Sequence, residues 1–265
     1  SDMVSFSETV TAWAWLSPAL IVTGALLLIV FERAFPYDRR QRFLRPGFAT
    51  DILCYALMQS WVLGLVIARF ASGIDEFAEL SRLHLISDWP IPVQVAFFVV
   101  THDLYIYCFH RLQHRSPLLW RIHETHHATH DIDWLSGSRS HPVEILINQT
   151  IEFVPMVLLG AAPEVALIKV PLNILWGMYI HSNIDIRSGR LQCIFNGPEM
   201  HRWHHVIEIT AGVNFATKFA LWDWLFGSAY LPAEKPNGYG LADPFPTGYL
   251  TQVAHAFTSR RKHSG

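Results

Sequence analysis

Nine histidines in this chain fall into four short clusters with metal-ligand spacing. They are His110 and His114; His123, His126 and His127; His181, followed by Ser182-Asn183; and His201, His204 and His205. Neutral imidazole is the commonest side-chain metal ligand. On an α-helix, positions three and four residues apart share a face, so each multi-histidine cluster gathers its rings on one side. Asp103 and Tyr107 precede His110 on that same face. One four-coordinate ion cannot use so many imidazoles, which points to two metals. Spacing alone leaves Zn, Cu, Fe and Ni open. The zinc-hydrolase pattern HExxH is not met, because His123-Glu124 is followed by Thr125-His126.

Other residues in the chain read more plainly. His84, His255 and His263 are expected to be solvated, and His130 lies just past the second cluster. His102 falls off the His110/His114 face and suits a supporting or interface role. Cys54, Cys108 and Cys193 have no CxxC spacing and read as reduced, buried thiols rather than ligands.

The elements that must position these rings are apolar. The chain has 265 residues, of which 51% are hydrophobic and 16% charged, against about 25% charged in soluble domains. Uncharged runs cover Trp13 to Phe31 and Ile52 to Ala68. Pro92 to Phe109 is also apolar but contains His102 and Asp103. Val143 to Leu159 and Val165 to Ile180 follow, separated by Gly160-Ala-Ala-Pro163. A spanning helix needs about 20 apolar residues. The reading is therefore an all-α integral membrane helical bundle in a single domain over 1–265. Its spans lie near 13–31, 52–68, 92–109 and 143–181, the last as a hairpin, giving about four to five crossings. A His-rich helical cap occupies 110–141 and 182–232, and a tail follows at 233–265. Gly73 to Trp89 reads as a loop or interfacial helix, and the aromatic run Phe219 to Tyr230 suits a membrane–water boundary.

Ser1-Asp2 before Met3 reads as an added stub. The first apolar run reads as a retained anchor, since no basic segment precedes it and no small-residue cleavage site follows. Arg33 to Arg45 holds five arginines, whereas the 71–91 loop has one, Arg82, against four acids. The positive-inside rule then puts the cap, its histidines and the tail, which ends in Arg260-Arg261-Lys262, on the cytoplasmic face. A formal net charge of −2 gives no reason to expect nucleic acid.

In combination, these motifs resemble the fatty acid hydroxylase / sterol desaturase superfamily. The resemblance covers about Asp51 to Pro232 and rests on five elements. They are Asp103-Leu-Tyr-Ile-Tyr107-Cys-Phe-His110-Arg111-Leu-Gln-His114, His123-xx-His126-His127, His141-Pro142-Val-Glu144, His181-Ser182-Asn183 and His201-xx-His204-His205. Asn214-Phe215 and Trp222-Asp223-xx-Phe226-Gly227-Ser228 resemble its closing signature, with Phe215 where Tyr is usual. The resemblance implies a membrane-embedded enzyme with two iron ions that uses O2 to hydroxylate or desaturate a lipid, whether sterol, fatty acyl, ether or amino lipid. It carries the ligand role to the nine clustered histidines, with His141 as a tenth.

A saturated C–H bond has no acidic proton and no leaving group, so a metal–oxygen cofactor must do the oxidation. Asp103, Glu124, Asp131, Asp133 and Glu144 are candidates to orient ligand rings, with Tyr107 and Asn183 beside them. Arg111 suits a carboxylate or lipid headgroup. Trp61, Phe97, Phe98, Phe153 and Trp176 could line a lipid channel. No GxGxxG or CxxCH motif is present, so electrons are expected from a cytochrome b5-like protein or from a ferredoxin with its reductase. The alternatives are a metal transporter, which would set ionisable groups near the midplane of several spans, and a metal-dependent lipid hydrolase.

Overall fold

A computed structural model of the chain describes residues 6–78, 84–207 and 212–258. Glu79, Arg82, His263, Ser1-Asp2-Met3 and the Arg260-Arg261-Lys262 triplet lie outside the described residues. The regular elements among the described residues are all helical. Helix α1 is Phe6–Ala34, and α2, Phe48–Thr50, runs directly into a π-helical stretch, Asp51–Gln59, and then α3, Ser60–Ala78. The helices α4, Ile91–Arg115; α5, Pro117–His127; α6, Pro142–Leu158; and α7, Pro163–His181, follow. The shorter α8, Pro198–His204; α9, Leu221–Leu225; and α10, Tyr249–Thr258, are the last α-helices among the described residues.

Proline sets the starts of the helices that matter for the histidines. Helices α4 to α8 each carry Pro at their first or second position, where its missing N–H costs nothing. The ring of Pro also pushes the preceding residue out of the helical region. Ser116 before Pro117 (φ −102°, ψ 116°) therefore ends α4 and caps α5, accepting a bond from Leu119 N at 3.4 Å. His141, Ala162 and Gly197 are likewise extended before Pro142, Pro163 and Pro198.

Three stretches are long and apolar enough to cross a membrane: Trp15–Ala34, Phe48–Ile67 and Ile91–Arg115. Only 11% of the first is buried, and Val22, Leu26 and Val30 are exposed along it. Such a surface is stable in lipid and unstable in water. Helix α7 packs along α1, α6 packs along α3, and α4 touches both α6 and α7. Helices α6 and α7 carry the buried pair Glu152–Lys169, with Nζ to Oε1 at 3.2 Å. An apolar core of Ile86, Phe98, Met156 and Val165 lies between them, with Phe97 and Phe153 packed against it. Phe98 is buried in that core, Phe97 and Phe153 are partly buried against it, and Trp61 is exposed. Trp176 donates its indole N–H to Thr217 O at 3.1 Å. A groove of about 500 Å³ between α4 and α7 is lined by Ile91, Val95, Val99, Ile168, Leu172 and Phe219.

Two sequence readings change. Cys108 and Cys193 are exposed and Cys54 is half-buried, all free, because the helices turn them away from the core. The π-helical stretch is not a purely apolar span. Asp51, Tyr55 and Gln59 share a buried face. Tyr55 donates to Gln252 Oε1 at 2.6 Å, and Gln59 donates to Ser140 O at 2.8 Å and accepts from Tyr249. This polar face docks α10 and the 139–140 segment.

Candidate metal centre

Five helix ends converge beneath the cap. Glu32, near the end of α1, accepts backbone N–H bonds from Trp134 at 2.7 Å and Asn183 at 2.6 Å. Asp51 pairs with Arg139, Glu144 starts α6, and His110 and His181 close in from α4 and α7. The nine histidines meet here in two groups. His110, His114, His123, His127 and His204 form one; His126, His181, His201 and His205 form the other. Within each group one ring nitrogen per residue lies within 4.8 Å of all the others.

The outer nitrogens decide which tautomer each ring adopts. His110 Nδ1 meets Phe215 O at 2.8 Å, His126 Nδ1 meets Arg139 O at 2.9 Å, and His204 Nδ1 meets Val213 O at 2.8 Å. His181 Nδ1 meets Gly177 O at 2.8 Å, and His123 Nδ1 meets the Glu144 carboxylate at 3.0 Å. A carbonyl or carboxylate oxygen accepts only, so these five rings carry the proton on Nδ1 and a bare lone pair on Nε2. The Nε2 atoms of His110 and His123 are nevertheless 3.0 Å apart, and those of His126 and His181 are 3.2 Å apart. Neither contact can be a hydrogen bond. One such pair of facing lone pairs occurs in each group, and a cation between them turns repulsion into coordination.

The spacing fits as well. Ligands bonded at about 2.0–2.1 Å around one metal sit about 2.8–3.4 Å apart. The Nε2 separations within the groups, where they are in contact, run from 3.0 to 3.3 Å. His114 and His204 Nε2 are buried without a hydrogen-bond partner. His127 and His205, from different groups, have ring centroids 4.7 Å apart, so the two groups adjoin. The donor set is all imidazole, which suits Zn, Cu, Fe or Ni.

Burial holds these rings neutral. His123, His127, His201, His204 and His205 have pKa values well below the ordinary imidazole range, first from desolvation and then from neighbouring imidazoles. His126 is lowered by burial too, with the Glu144 charge pulling it partly back.

Around the rings, only part of the expected support is in place. Glu144 Oε1 lies 3.0 Å from His123 Nδ1. Asp103 does not touch a ring; it accepts from Lys218 N and Phe219 N, both at 2.9 Å, and from the Trp222 indole at 3.1 Å. It fastens the loop that follows residue 212 to α4. Asn183 binds Asp38 through both amide atoms, and Asp133 pairs with Arg45. Tyr107 bonds Ser228 Oγ at 2.8 Å, packs on Phe226 and accepts from Arg111. Arg111 also donates to Phe226 O, not to a carboxylate. Glu124 faces His255 at 3.5 Å, and Thr129 donates to Asp131 O.

His141 stands outside both groups. Its Nδ1 caps α6 by accepting from Val143 N at 3.2 Å, and its Nε2 donates to Val253 O at 3.1 Å. Both nitrogens are thus in use. His102 lies 3.9 Å from Glu152, eight residues before His110, or about 12 Å away along the helix. His130 Nδ1 meets Tyr239 O at 2.9 Å.

The sequence reading missed the backbone carbonyls of Phe215, Val213, Arg139 and Gly177, which no side-chain motif can mark. Two glycines are a fainter signal. A Cβ on Gly137 would lie 2.6 Å from His181 Nδ1, and one on Gly212 (φ +71°) would lie 2.8 Å from His114 Nδ1.

Known proteins point the same way. The sequence profile of the family described as fatty acid hydroxylase matches residues 95–228. Ornithine lipid hydroxylase OlsE of Rhizobium tropici is 28% identical over 255 residues, covering 93% of this chain and 76% of that protein. Alkylglycerol monooxygenase of Homo sapiens is 31% identical over 146 residues, 55% of this chain and 32% of that protein. The chain thus spans about a third of that relative's length. A very-long-chain aldehyde decarbonylase of Oryza sativa subsp. indica is 29% identical over 219 residues, covering 80% of this chain and 82% of that protein. No solved structure matches the chain.

Proposed function

The chain belongs to the fatty acid hydroxylase family, and from that premise we propose that it is an integral membrane, O2-dependent di-iron oxidoreductase that hydroxylates or desaturates a lipid. The observation that carries the reading is the facing lone pairs, His110 against His123 and His126 against His181, one pair in each histidine group. When bound, two irons supply the O2 chemistry that side chains cannot perform on an unactivated C–H bond. His110, His114, His123, His127 and His204 would hold one, and His126, His181, His201 and His205 would hold the other.

The chain's own contribution is orientation and exclusion. The Nδ1–H bonds to Phe215, Val213, Arg139, Gly177 and Glu144 fix five rings before any metal arrives, so binding costs little reorganisation. Burial of eight of the nine rings, with His114 half-buried, limits water at the centre. The apolar groove between α4 and α7 suits an acyl chain lying in the bilayer.

The cap is assigned to the cytoplasmic side. The five arginines of the 33–45 segment support this, together with the convergence of five helix ends beneath one cap. Reductant is available there, from a cytochrome b5-like protein or a ferredoxin with its reductase. The unit is one membrane-embedded domain over 1–265, with α6 and α7 entering from the cap side.

The relative that matches 93% of the chain is named an ornithine lipid hydroxylase, so an ornithine lipid is the first substrate to assay. The test uses iron-loaded protein in vesicles with a reducing chain, and follows O2 uptake and product mass. A gain of one oxygen marks hydroxylation and a loss of two hydrogens marks desaturation. Protein that binds zinc but not iron, or never consumes O2 with any lipid, sinks the proposal. A metal transporter or a metal-dependent hydrolase would give that second result.

A further inference from the structure

The two histidine groups are held by two separate braces. His126 is the member of the four-histidine group that contacts Arg139 O at 2.9 Å. Arg139 in turn is locked by Asp51, with Nε to Oδ1 at 2.6 Å. Asp51 also takes Arg45 Nη2 at 2.8 Å, and Arg45 reaches Asp133 at 2.8 Å. All four side chains are buried. Gly47, at φ +82°, leaves room for this knot: a Cβ there would lie 2.5 Å from Arg139 Nη2. The π-helical stretch begins at Asp51, and such widened turns cluster at functional sites.

The five-histidine group is braced from elsewhere. Its His110 and His204 contact the carbonyls of Phe215 and Val213. The 213–216 segment is shaped by Asp223, which accepts from Phe215 N at 2.8 Å, Ala216 N at 2.9 Å and Ser228 Oγ at 2.8 Å. Asn214 holds the left-handed turn (φ 53°) by donating to Met200 O and Tyr230 O. Among the described residues, no hydrogen bond or ion pair joins the side chains of the Asp51 knot to those of the Asp223 knot.

We propose that Asp51 and Asp223 are positioning residues, each for one metal of the pair: Asp51 for the four-histidine group, and Asp223 for the five-histidine group. This rests on the di-iron reading above. Neither residue touches a ring; each fixes a backbone carbonyl that does.

The test uses the full chain in lipid nanodiscs loaded with ⁵⁷Fe, read by Mössbauer spectra and iron content. Reference variants His205→Ala and His114→Ala assign a spectral component to each group. Asp51→Asn is expected to lose or shift the component that His205→Ala removes. Asp223→Asn is expected to do so for the component that His114→Ala removes. Each variant halves the iron, and Asp51→Glu restores it in part. If Asp51→Asn does not fold, Arg139→Lys serves in its place, since it keeps the carbonyl and the charge but loses the planar bond to Asp51. If both variants disturb both components equally, or a folded variant disturbs neither, the proposal is overturned. Wild-type protein without a two-iron signal would instead break the di-iron reading itself.

Discussion

Helices α5 and α8 carry the same motif, HxxHH, yet use it in opposite senses. In α5, His123 and His127 join the five-histidine group, and His126 crosses to the other. In α8, His201 and His205 join the four-histidine group, and His204 crosses. The outer positions are one turn apart and stay together; the third position points away and reaches the neighbouring group. In both helices the crossing ring is the one pinned by a backbone carbonyl, Arg139 O for His126 and Val213 O for His204. By contrast, His201 and His205 have no partner on Nδ1. The supports differ as well. Helix α5 has 11 residues and a side-chain N-cap, whereas α8 has seven and none. What holds α8 is Arg202, buried over the Tyr37 ring at 3.7 Å and donating to the carbonyls of Ser182 and Ile184. One helix largely sets its own geometry, and the other borrows it from the end of α7.

The largest effect expected from that comparison follows loss of a crossing ring. His126→Ala should abolish lipid oxidation and remove iron from the four-histidine group. His204→Ala should do the same to the five-histidine group. Iron content and O2 uptake measured side by side check both. Retained activity in either variant would break the site assignment.

Next comes Arg202→Met, which removes the prop of α8 and leaves two carbonyls unpaired. Hydrogen bonds from a charged donor contribute about 1.5–3 kcal/mol each, so a drop of about 3 kcal/mol in stability is expected. Because α8 serves both groups, iron affinity should fall in both together. Thermal unfolding and iron titration read the two effects. Loss confined to one group would show that α8 is held by its ligands rather than by Arg202.

Acid sharpens the comparison by a smaller step. In metal-free protein the rings of α5 and α8 stay neutral well below the usual imidazole range because they are buried. Unfolded imidazoles take up protons near pH 6.5. Below that point the unfolded chain binds more protons than the folded one, so stability falls with pH, by about 1.4 kcal/mol per unit for each such histidine. Above about pH 6.5 these rings contribute no slope. His126, whose charged form Glu144 favours, contributes over a shorter range than the three rings of α8. A chelator-treated sample whose unfolding midpoint does not move between pH 6.5 and 5 would contradict this picture of buried, neutral rings.

Much of the arrangement is legible in the sequence. The i, i+3, i+4 spacing gives the helices of the cap, the apolar runs give the bundle, and Pro117, Pro142 and Pro198 mark where its helices start. The crossing of His126 and His204 is not legible, because a helical wheel names faces and not the neighbours they meet. Asp103 misled for the same reason. Its spacing puts it on the His110 face, yet its partners, Lys218 N and Phe219 N, lie 115 and 116 residues away. Carbonyl partners such as Phe215 O leave no side-chain mark. The polar face of Asp51, Tyr55 and Gln59 has the ordinary i, i+4, i+8 spacing of a helix face, and the lack of charge from Ile52 to Ala68 masks it.

His141 tests the smallest consequence of the comparison. If a ring's role follows from which nitrogen is left free, a ring with both nitrogens in use is not a ligand. His141 spends Nδ1 on the start of α6 and Nε2 on Val253 O of α10, although it lies only two residues beyond Arg139, whose carbonyl pins His126. Asn at this position keeps a capping oxygen for α6 and gives up the bond to α10. His141→Asn should therefore cost about 1 kcal/mol, one ordinary hydrogen bond, with iron content unchanged. Iron analysis and a thermal melt separate the outcomes. Loss of iron with little change in the melt would make His141 a tenth ligand and would break the rule drawn from α5 and α8.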